Sequence, residues 1–321
     1  MKYVLSVLAV SLAVPASADT LGPYTDLLVF GDSLSDPGNR FELTNGTEPP
    51  QSLYPLRQFT NGDTWAATLG ADFDSGTNFA YGGATAITND DIYPDFTAQR
   101  LEYYDADVSL GDNPLTAVNF GGNDLRSLIG DALPTEEEIG ALFFQSIGSI
   151  AAGINELAAT GLDDFLVFSA PKLSNLPDVI GTSLEPLVFS LVDGYNTALE
   201  NAVLAYQGSP INVQFFDIVA AQDEIFANAA ALGLTNTTDA CLTPNNPETE
   251  ENEFFFCGIL EDPNTYFFFD GLHPTNTVHS EIAWMVQTAV TPVPLPGSLG
   301  LAFGGLVLLG GIARRRKVAS V

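Results

Sequence analysis

The amino-acid sequence predicts an α/β fold in which a mostly parallel sheet is covered by helices on both faces. Short apolar runs, of the length of buried strands, alternate along the chain with longer segments whose apolar residues have helical spacing. Two of the runs end at glycines. No internal repeat and no linker-like stretch interrupts this alternation, so one domain covering residues 19–291 is expected. Such an alternation is typical of parallel sheets that are buried on both faces.

Four apolar runs are predicted to form the strands of this sheet: Asp26–Phe30, Leu115–Phe120, Phe165–Ser169 and Ile211–Ile218. Five segments predict helices: Trp65–Leu69, Glu136–Thr160, Leu184–Tyr206, Asp223–Leu232 and Thr277–Val290. The second helix begins with three glutamates, which the positive end of a helix dipole favours. Polar stretches at 37–63, 86–110 and 235–265 are expected to be loops, and the first two are expected to shape a substrate cleft.

The composition excludes several classes of function. The chain has 321 residues with 40 acidic and 10 basic side chains, a formal charge of −30. A surface of this charge argues against nucleic-acid binding and against docking on anionic lipid. Hydrophobic residues make up 46% of the chain, which is enough for a large core. Two cysteines and two histidines are too few for a Cys/His zinc site.

The first 18 residues are predicted to be a secretory signal peptide. Lys2 provides the positive end, Val4–Val14 the apolar stretch, and Ala16-Ser17-Ala18 the small residues that a signal peptidase cleaves. Export places the protein in an oxidising compartment, where a disulfide between Cys241 and Cys257 is expected. Two buried free thiols are the alternative.

Residues 292–321 have the order of a C-terminal sorting signal. Val293-Pro294-Leu295-Pro296 precedes an uncharged run at 298–313, which is shorter than the ~20 residues of a membrane-spanning helix. A basic cluster, Arg314–Lys317, follows. The segment resembles the PEP-CTERM class of bacterial sorting signals in its VPLPA variant. The resemblance implies processing by an exosortase-type enzyme, with release or attachment at the cell surface; a permanent tail anchor is the alternative.

Ser33 is the candidate nucleophile. It follows the first predicted strand within Phe30-Gly31-Asp32-Ser33-Leu34-Ser35-Asp36, and the carboxyl ends of parallel strands carry the sites of such folds. Its hydroxyl needs a base, and Asp270-Gly271-Leu272-His273-Pro274 offers one. The spacing lets Asp270 orient the imidazole of His273 while the other ring nitrogen accepts a proton. Spacing alone does not bring Ser33 to His273.

Two glycine-rich turns are candidates for an oxyanion hole, the alternative being ordinary turns. Asn78–Thr85 contains Gly82-Gly83, which allows close approach of a ligand to the backbone. Gly121-Gly122-Asn123-Asp124 follows the second strand and contributes the side-chain amide of Asn123. Backbone amides and an asparagine side chain are the usual donors to an oxyanion.

Together these motifs, in this order, resemble the GDSL or SGNH hydrolase family of secreted serine esterases and lipases. Phe59–Trp65 and Asn78–Thr85 add to the resemblance, which covers about residues 27–291. The segment from Gly233 to the HPT triplet is similar to a secreted bacterial lipase and haemolysin-like branch. The resemblance implies a three-layer α/β/α, flavodoxin-like fold that needs no metal or cofactor.

The resemblance also implies the site roles. Ser33 is the nucleophile, His273 the general base and Asp270 its orienting carboxylate. The oxyanion donors are the amide of Ser33, the amide of Gly83, with Gly82 as the alternative, and the side chain of Asn123. Among the remaining polar residues, Asp124 is expected to brace its own loop and His279 to be structural or on the surface.

The predicted function is that of an exported serine ester hydrolase, an esterase or lipase that acts through an acyl-enzyme. Its substrate is an ester of a lipid or an acylated polysaccharide, and its location is the cell surface or the medium. The alternative hypothesis is a cell-surface protein on the same fold that is catalytically silent or that deacetylates polysaccharide.

Overall fold

The computed structural model of the protein describes residues 21–130, 132–244, 254–257 and 261–291. The predicted signal peptide and the predicted sorting signal with its apolar run at 298–313 lie outside these residues. Within the described residues, no helix combines the length and the hydropathy that crossing a membrane requires. The described residues up to Val290 pack into one unit.

A parallel sheet of four strands lies at the centre of this unit. Its strands follow one another in chain order: β1 (Asp26–Gly31), β2 (Pro114–Asn119), β3 (Asp164–Phe168) and β4 (Asn212–Phe216). All three neighbouring pairs are parallel. Each of the four predicted strands is therefore present, with ends that differ by a few residues.

Helices cover both faces of the sheet, and alternate residues of each strand divide between two apolar cores. Leu28 and Phe30 of β1 face one core, whereas Leu27 and Val29 face the other. The first core is closed by α3 (Phe96–Asp105), α5 (Glu136–Ala158) and α6 (Glu185–Leu204). The second is closed by α2 (Trp65–Thr68), α7 (Ile218–Ala227) and α8 (Asn276–Val290). The arrangement confirms the predicted three-layer α/β/α architecture.

Further elements lie at the edges of this framework. Two one-turn helices, α1 (Asn39–Leu43) and α4 (Gly122–Arg126), follow β1 and β2. Two small two-stranded sheets pair β5 (Asn236–Ala240) with β8 (Tyr266–Phe268) and β6 (Leu242–Pro244) with β7 (Phe254–Phe256). A disulfide joins Cys241 to Cys257, so the structure does not have the two free thiols of the alternative.

Several sequence-based expectations are wrong at the level of single elements. The stretch 86–110 contains α3, which the sequence does not reveal because its buried residues include the polar Gln99 and Arg100. The predicted helix Asp223–Leu232 instead begins at Ile218, since the side chain of Asp217 accepts a hydrogen bond from the amide of Ala220 and caps the helix. The predicted loops 37–63 and 235–265 contain α1 and short strands, respectively.

Candidate active site

Ser33 lies in a tight turn at the carboxyl end of β1. The amides of Ser35 and Asp36 both donate to the carbonyl oxygen of Asp32, at 3.0 Å each, which folds the chain back around Ser33. The strand end itself is held by Gln99 of α3, whose side-chain amide donates to the carbonyl of Gly31 and accepts from its amide. Gln99 is fully buried, so the turn is positioned by a rigid contact between α3 and β1.

His273 contacts both of its predicted partners. Its Nε2 lies 2.8 Å from Oγ of Ser33, across 240 residues of chain. Its Nδ1 lies 2.9 and 2.8 Å from the two carboxylate oxygens of Asp270. The carboxylate also accepts the backbone amide of His273 at 2.7 Å, so the loop closes on itself around Asp270. The structure thus brings Ser33, His273 and Asp270 together in one chain of hydrogen bonds.

Two aromatic residues of the 37–63 segment complete this part of the site. The hydroxyl of Tyr54 donates to Oδ2 of Asp270 at 2.6 Å. The ring of Phe59 packs on the imidazole of His273, with ring centroids 5.0 Å apart. Sequence reasoning missed Tyr54 because nothing in its local pattern marks it; only a contact across 216 residues gives it a role.

The Gly82-Gly83 turn is joined to the serine turn by Asp36. Oδ2 of Asp36 accepts the amide of Gly82 at 2.7 Å, so this amide is occupied. Among the described residues, the amide of Gly83 donates to no other group. Arg40 holds the same turn from outside by donating to the carbonyl of Gly82 at 2.9 Å. Of the two candidate glycines, only Gly83 has an amide available to a ligand.

Asn123, at the start of α4, lies beside the glycine turn. One N–H of its side-chain amide donates to the carbonyl of Ala84 at 2.9 Å, which leaves the second N–H available. The carboxylate of the neighbouring Asp124 accepts the amides of Ala86 and Ile87, at 3.0 and 3.2 Å. Asp124 thus ties its own loop to the segment that follows Gly83.

Burial and hydrogen bonding shift the pKa values of two carboxyl groups of the site, those of Asp270 and Asp32, in opposite directions. Burial by itself would raise the pKa of Asp270, but the charge of His273 and hydrogen bonds from His273 and Tyr54 hold that pKa below its usual range. Burial raises the pKa of Asp32 to about 7, because few donors offset the loss of water. Of these two carboxyl groups, Asp270 is thus the one that stays ionised at neutral pH.

A cavity of about 30 Å³ opens beside Ser33, His273 and Asn123. Its floor consists of buried side chains that are mainly apolar: Trp65, Leu173, Ile218, Phe268, His279 and Ile282. The fully buried His279 is structural: its Nδ1 accepts the backbone amide of Trp65 at 3.2 Å. Within the described residues, no group of three or more His, Cys, Asp or Glu side chains is arranged to hold a metal ion.

Comparison with known proteins finds one family model, curated relatives and solved structures that each match most of the chain. The family model described as GDSL-like Lipase/Acylhydrolase matches residues 27–284. The phosphatidylcholine-sterol acyltransferase of Aeromonas hydrophila is 25% identical over 250 residues, which are 75% of this chain and 72% of that protein. The thermolabile hemolysin of Vibrio parahaemolyticus is 23% identical over 271 residues, which are 80% of this chain and 62% of the hemolysin. A solved catalytic mutant of an acetylxylan esterase from Geobacillus stearothermophilus is 14% identical, with a TM-score of 0.46, over 84% of this chain and 96% of that one.

Proposed function

The chain belongs to the GDSL-like lipase/acylhydrolase family, which makes it a carboxylic ester hydrolase, and we propose that Ser33, His273 and Asp270 carry out its reaction. The observation that carries this proposal is the unbroken path of contacts from Asp270 through His273 to Oγ of Ser33. A serine hydroxyl becomes a strong nucleophile only when a neighbouring base accepts its proton. His273 is placed to be that base.

The reaction proceeds through an acyl-enzyme. Ser33 attacks the ester carbonyl while Nε2 of His273 takes its proton. Asp270 holds the Nδ1–H of the ring, which keeps Nε2 free as the acceptor and stabilises the imidazolium once it forms. His273 then protonates the leaving alcohol, and a water molecule that it activates releases the acid from Ser33.

Three donors stabilise the negative charge that develops on the carbonyl oxygen. They are the amides of Ser33 and Gly83 and the second side-chain N–H of Asn123. In support, neither backbone amide donates to another group among the described residues, and Asn123 lines the same cavity as Ser33 and His273. Donors that are fixed before the reaction stabilise the transition state without reorganisation.

The preferred acyl group is short. The cavity beside Ser33 is small, about 30 Å³, and its floor consists of buried, mainly apolar side chains. An acetyl group matches this space, whereas a long chain would need the buried floor to move. Acetyl esters, including those on polysaccharides, are therefore favoured over long-chain lipid esters.

The protein acts outside the cytoplasm, after its N-terminal segment is removed by a signal peptidase and its tail is processed by an exosortase-type enzyme. The composition of residues 1–18 and 292–321 supports this part of the proposal. The match to a hemolysin supports placement in the secreted lipase and haemolysin-like branch. Fractionation of cells that express the full chain tests it: replacing Arg314–Lys317 with neutral residues is expected to trap unprocessed protein, and unchanged processing would contradict the proposal.

Hydrolysis of p-nitrophenyl acetate, butyrate and palmitate by residues 19–291 tests the catalytic proposal. Ser33→Ala is expected to lose activity by at least 10³-fold, because every step of the acyl-enzyme route needs the hydroxyl. The matched control is Ser75→Ala, which removes an exposed serine hydroxyl away from the site. A Ser33→Ala protein with full activity would exclude this mechanism. Inactivity of both proteins on every ester would favour the silent surface protein.

A further inference from the structure

The few basic residues of the described chain are distributed unevenly. Lys2 and four residues of the tail account for half of the 10 basic side chains, so five remain against 40 acidic ones. Four of these five form ion pairs: Arg40 with Glu48, Arg57 with Glu42, Arg100 with Glu156, and Lys172 with Asp223. Within the described residues, Arg126 is the one cation without a carboxylate partner in an ion pair.

Arg126 lies at the mouth of the catalytic cavity. It is exposed, at the end of α4, and lines the same cavity as Ser33 and His273. Its guanidinium has one hydrogen-bond contact, a long one of 3.5 Å to Oδ1 of Asn123. Four of its five N–H donors are therefore free of side-chain or backbone acceptors among the described residues.

The other charged groups at this cavity are already neutralised or buried. Lys172, the second cation of the lining, is held 2.5 Å from the carboxylate of Asp223. Asp32, the one carboxylate of the lining, is buried and accepts the amide of Leu34. In a protein of charge −30, the free positive charge of the described surface is thus concentrated at the entrance to the candidate active site.

We propose that Arg126 binds an anionic group, a carboxylate or a phosphate, on the alcohol half of the ester substrate. The planar guanidinium presents paired donors that match both of these oxyanions. The buried floor of the cavity takes the short acyl group, so the part of the substrate that reaches the exposed mouth is the alcohol. A free arginine there also offsets the repulsion that the acidic surface exerts on an anionic substrate. The inference rests on the proposed function and deepens it.

Two matched esters test this role. They are 4-acetoxybenzoate, which is anionic, and 4-acetoxybenzamide, which has the same acetyl group on a neutral phenol of similar shape. In Arg126→Gln, the ratio of kcat/KM for the anionic ester to that for the neutral ester is expected to fall about tenfold, mainly through KM. Any effect that Arg126 exerts through Asn123 acts on both esters and cancels in the ratio. Adding 0.5 M NaCl is expected to reduce the difference in this ratio between the wild type and the variant, because salt screens the charge of Arg126 while its effect on the surrounding acidic surface is common to both proteins.

The control is Arg57→Gln, which removes the same charge from a partly exposed residue that does not line the cavity. A fall of the ratio in Arg57→Gln as large as in Arg126→Gln would overturn the proposal, and so would an unchanged ratio in Arg126→Gln. In both cases hydrolysis of the neutral ester leaves the proposed function standing. If the wild type hydrolyses neither ester, both proposals fail. A third ester, 4-acetoxyphenyl phosphate, identifies the anion: the larger dependence on Arg126 marks the preferred oxyanion.

Discussion

The hydroxyl of Tyr54 donates a hydrogen bond of 2.6 Å to Oδ2 of Asp270, the carboxylate that holds His273. Tyr54 is mostly buried, and its ring packs edge-on against Phe269 with centroids 5.2 Å apart. The contact joins the segment before α2 to the loop that precedes α8. Tyr54 thereby helps to fix the orientation of Asp270 through the same carboxylate oxygen that lies 2.8 Å from Nδ1 of His273, and we regard it as a positioning residue.

Tyr54→Phe is expected to lower kcat/KM about tenfold, or about 1.4 kcal/mol, in line with the loss of a hydrogen bond to a charged group. KM is expected to change little, because the ring and its packing remain. Loss of this donor also removes one of the hydrogen bonds that hold the pKa of Asp270 below its usual range, so the acid side of the pH–rate profile is expected to change.

Tyr266→Phe is the matched control for this substitution. Tyr266 also donates to a carboxylate, Glu261, at 2.8 Å, and packs in the same apolar cluster, but it does not contact Asp270. An equal loss of activity and an equal shift of the pH profile in both variants would contradict a specific role for Tyr54.

Asn123→Ala is expected to lower kcat by about 10²–10³-fold, which corresponds to roughly 3 kcal/mol of transition-state stabilisation. The reason is that its free side-chain N–H is one of three proposed oxyanion donors. Steady-state kinetics on p-nitrophenyl acetate give kcat and KM separately, and KM is expected to change much less than kcat. In the control Asn201→Ala, an exposed amide that also donates to one backbone carbonyl is removed far from the cavity. A change confined to KM would assign Asn123 to substrate binding rather than to the transition state.

The sequence predicts the four strands and their order along the chain because each strand is a continuous apolar run, and burial on both faces demands that pattern. The pairing of Asp270 with His273 is predictable for a similar reason, since three residues of spacing keep the two side chains close. The helix α3 is not predictable in this way, because its core-facing side includes Gln99 and Arg100, whose partners lie elsewhere in the chain. The role of Tyr54 depends on its contact with Asp270, which lies in a distant segment of the chain. Whether Arg126 has a carboxylate partner likewise depends on which distant segments the fold brings to it. No local sequence pattern encodes either property.

Asp32 and His279 are two buried residues of the cavity lining. Their contributions to the stability of the protein change with pH in opposite directions. Burial raises the pKa of Asp32 from 3.8 to about 7, so its contribution to stability is complete below about pH 4 and is lost as the pH rises to 7. Burial, with a smaller effect of the His273 charge, lowers the pKa of His279 from 6.5 to about 3. The contribution of His279 is therefore complete above about pH 6.5 and is lost as the pH falls. The two effects offset each other between pH 4 and 7.

Replacing either of the two residues is expected to reveal the pH dependence that the other contributes to stability. Relative to the wild type, the free energy of unfolding of Asp32→Asn is expected to rise from pH 4 to 7, and that of His279→Asn to fall, each by on the order of 2 kcal/mol. Urea denaturation at pH 4, 5, 6 and 7 measures both differences, in which the remaining titrating groups cancel. Asp74→Asn, an exposed carboxylate, is the control for general charge repulsion. If the free energy of unfolding of both variants changed with pH as it does in the wild type, the opposite contributions of Asp32 and His279 would be contradicted.

Replacing both Cys241 and Cys257 by serine is expected to lower the free energy of unfolding by about 3 kcal/mol and Tm by roughly 6–10 °C, because the disulfide closes a loop across 16 residues. Both cysteines are buried in a cluster that includes Tyr54 and Phe269, so the loss of the bond also loosens the wall behind Asp270. Differential scanning calorimetry with and without dithiothreitol measures the effect. The reductant is expected to lower Tm of the wild type towards that of the double variant and to leave the variant unchanged. A wild-type Tm that full reduction does not lower would show that the bond contributes nothing to the fold.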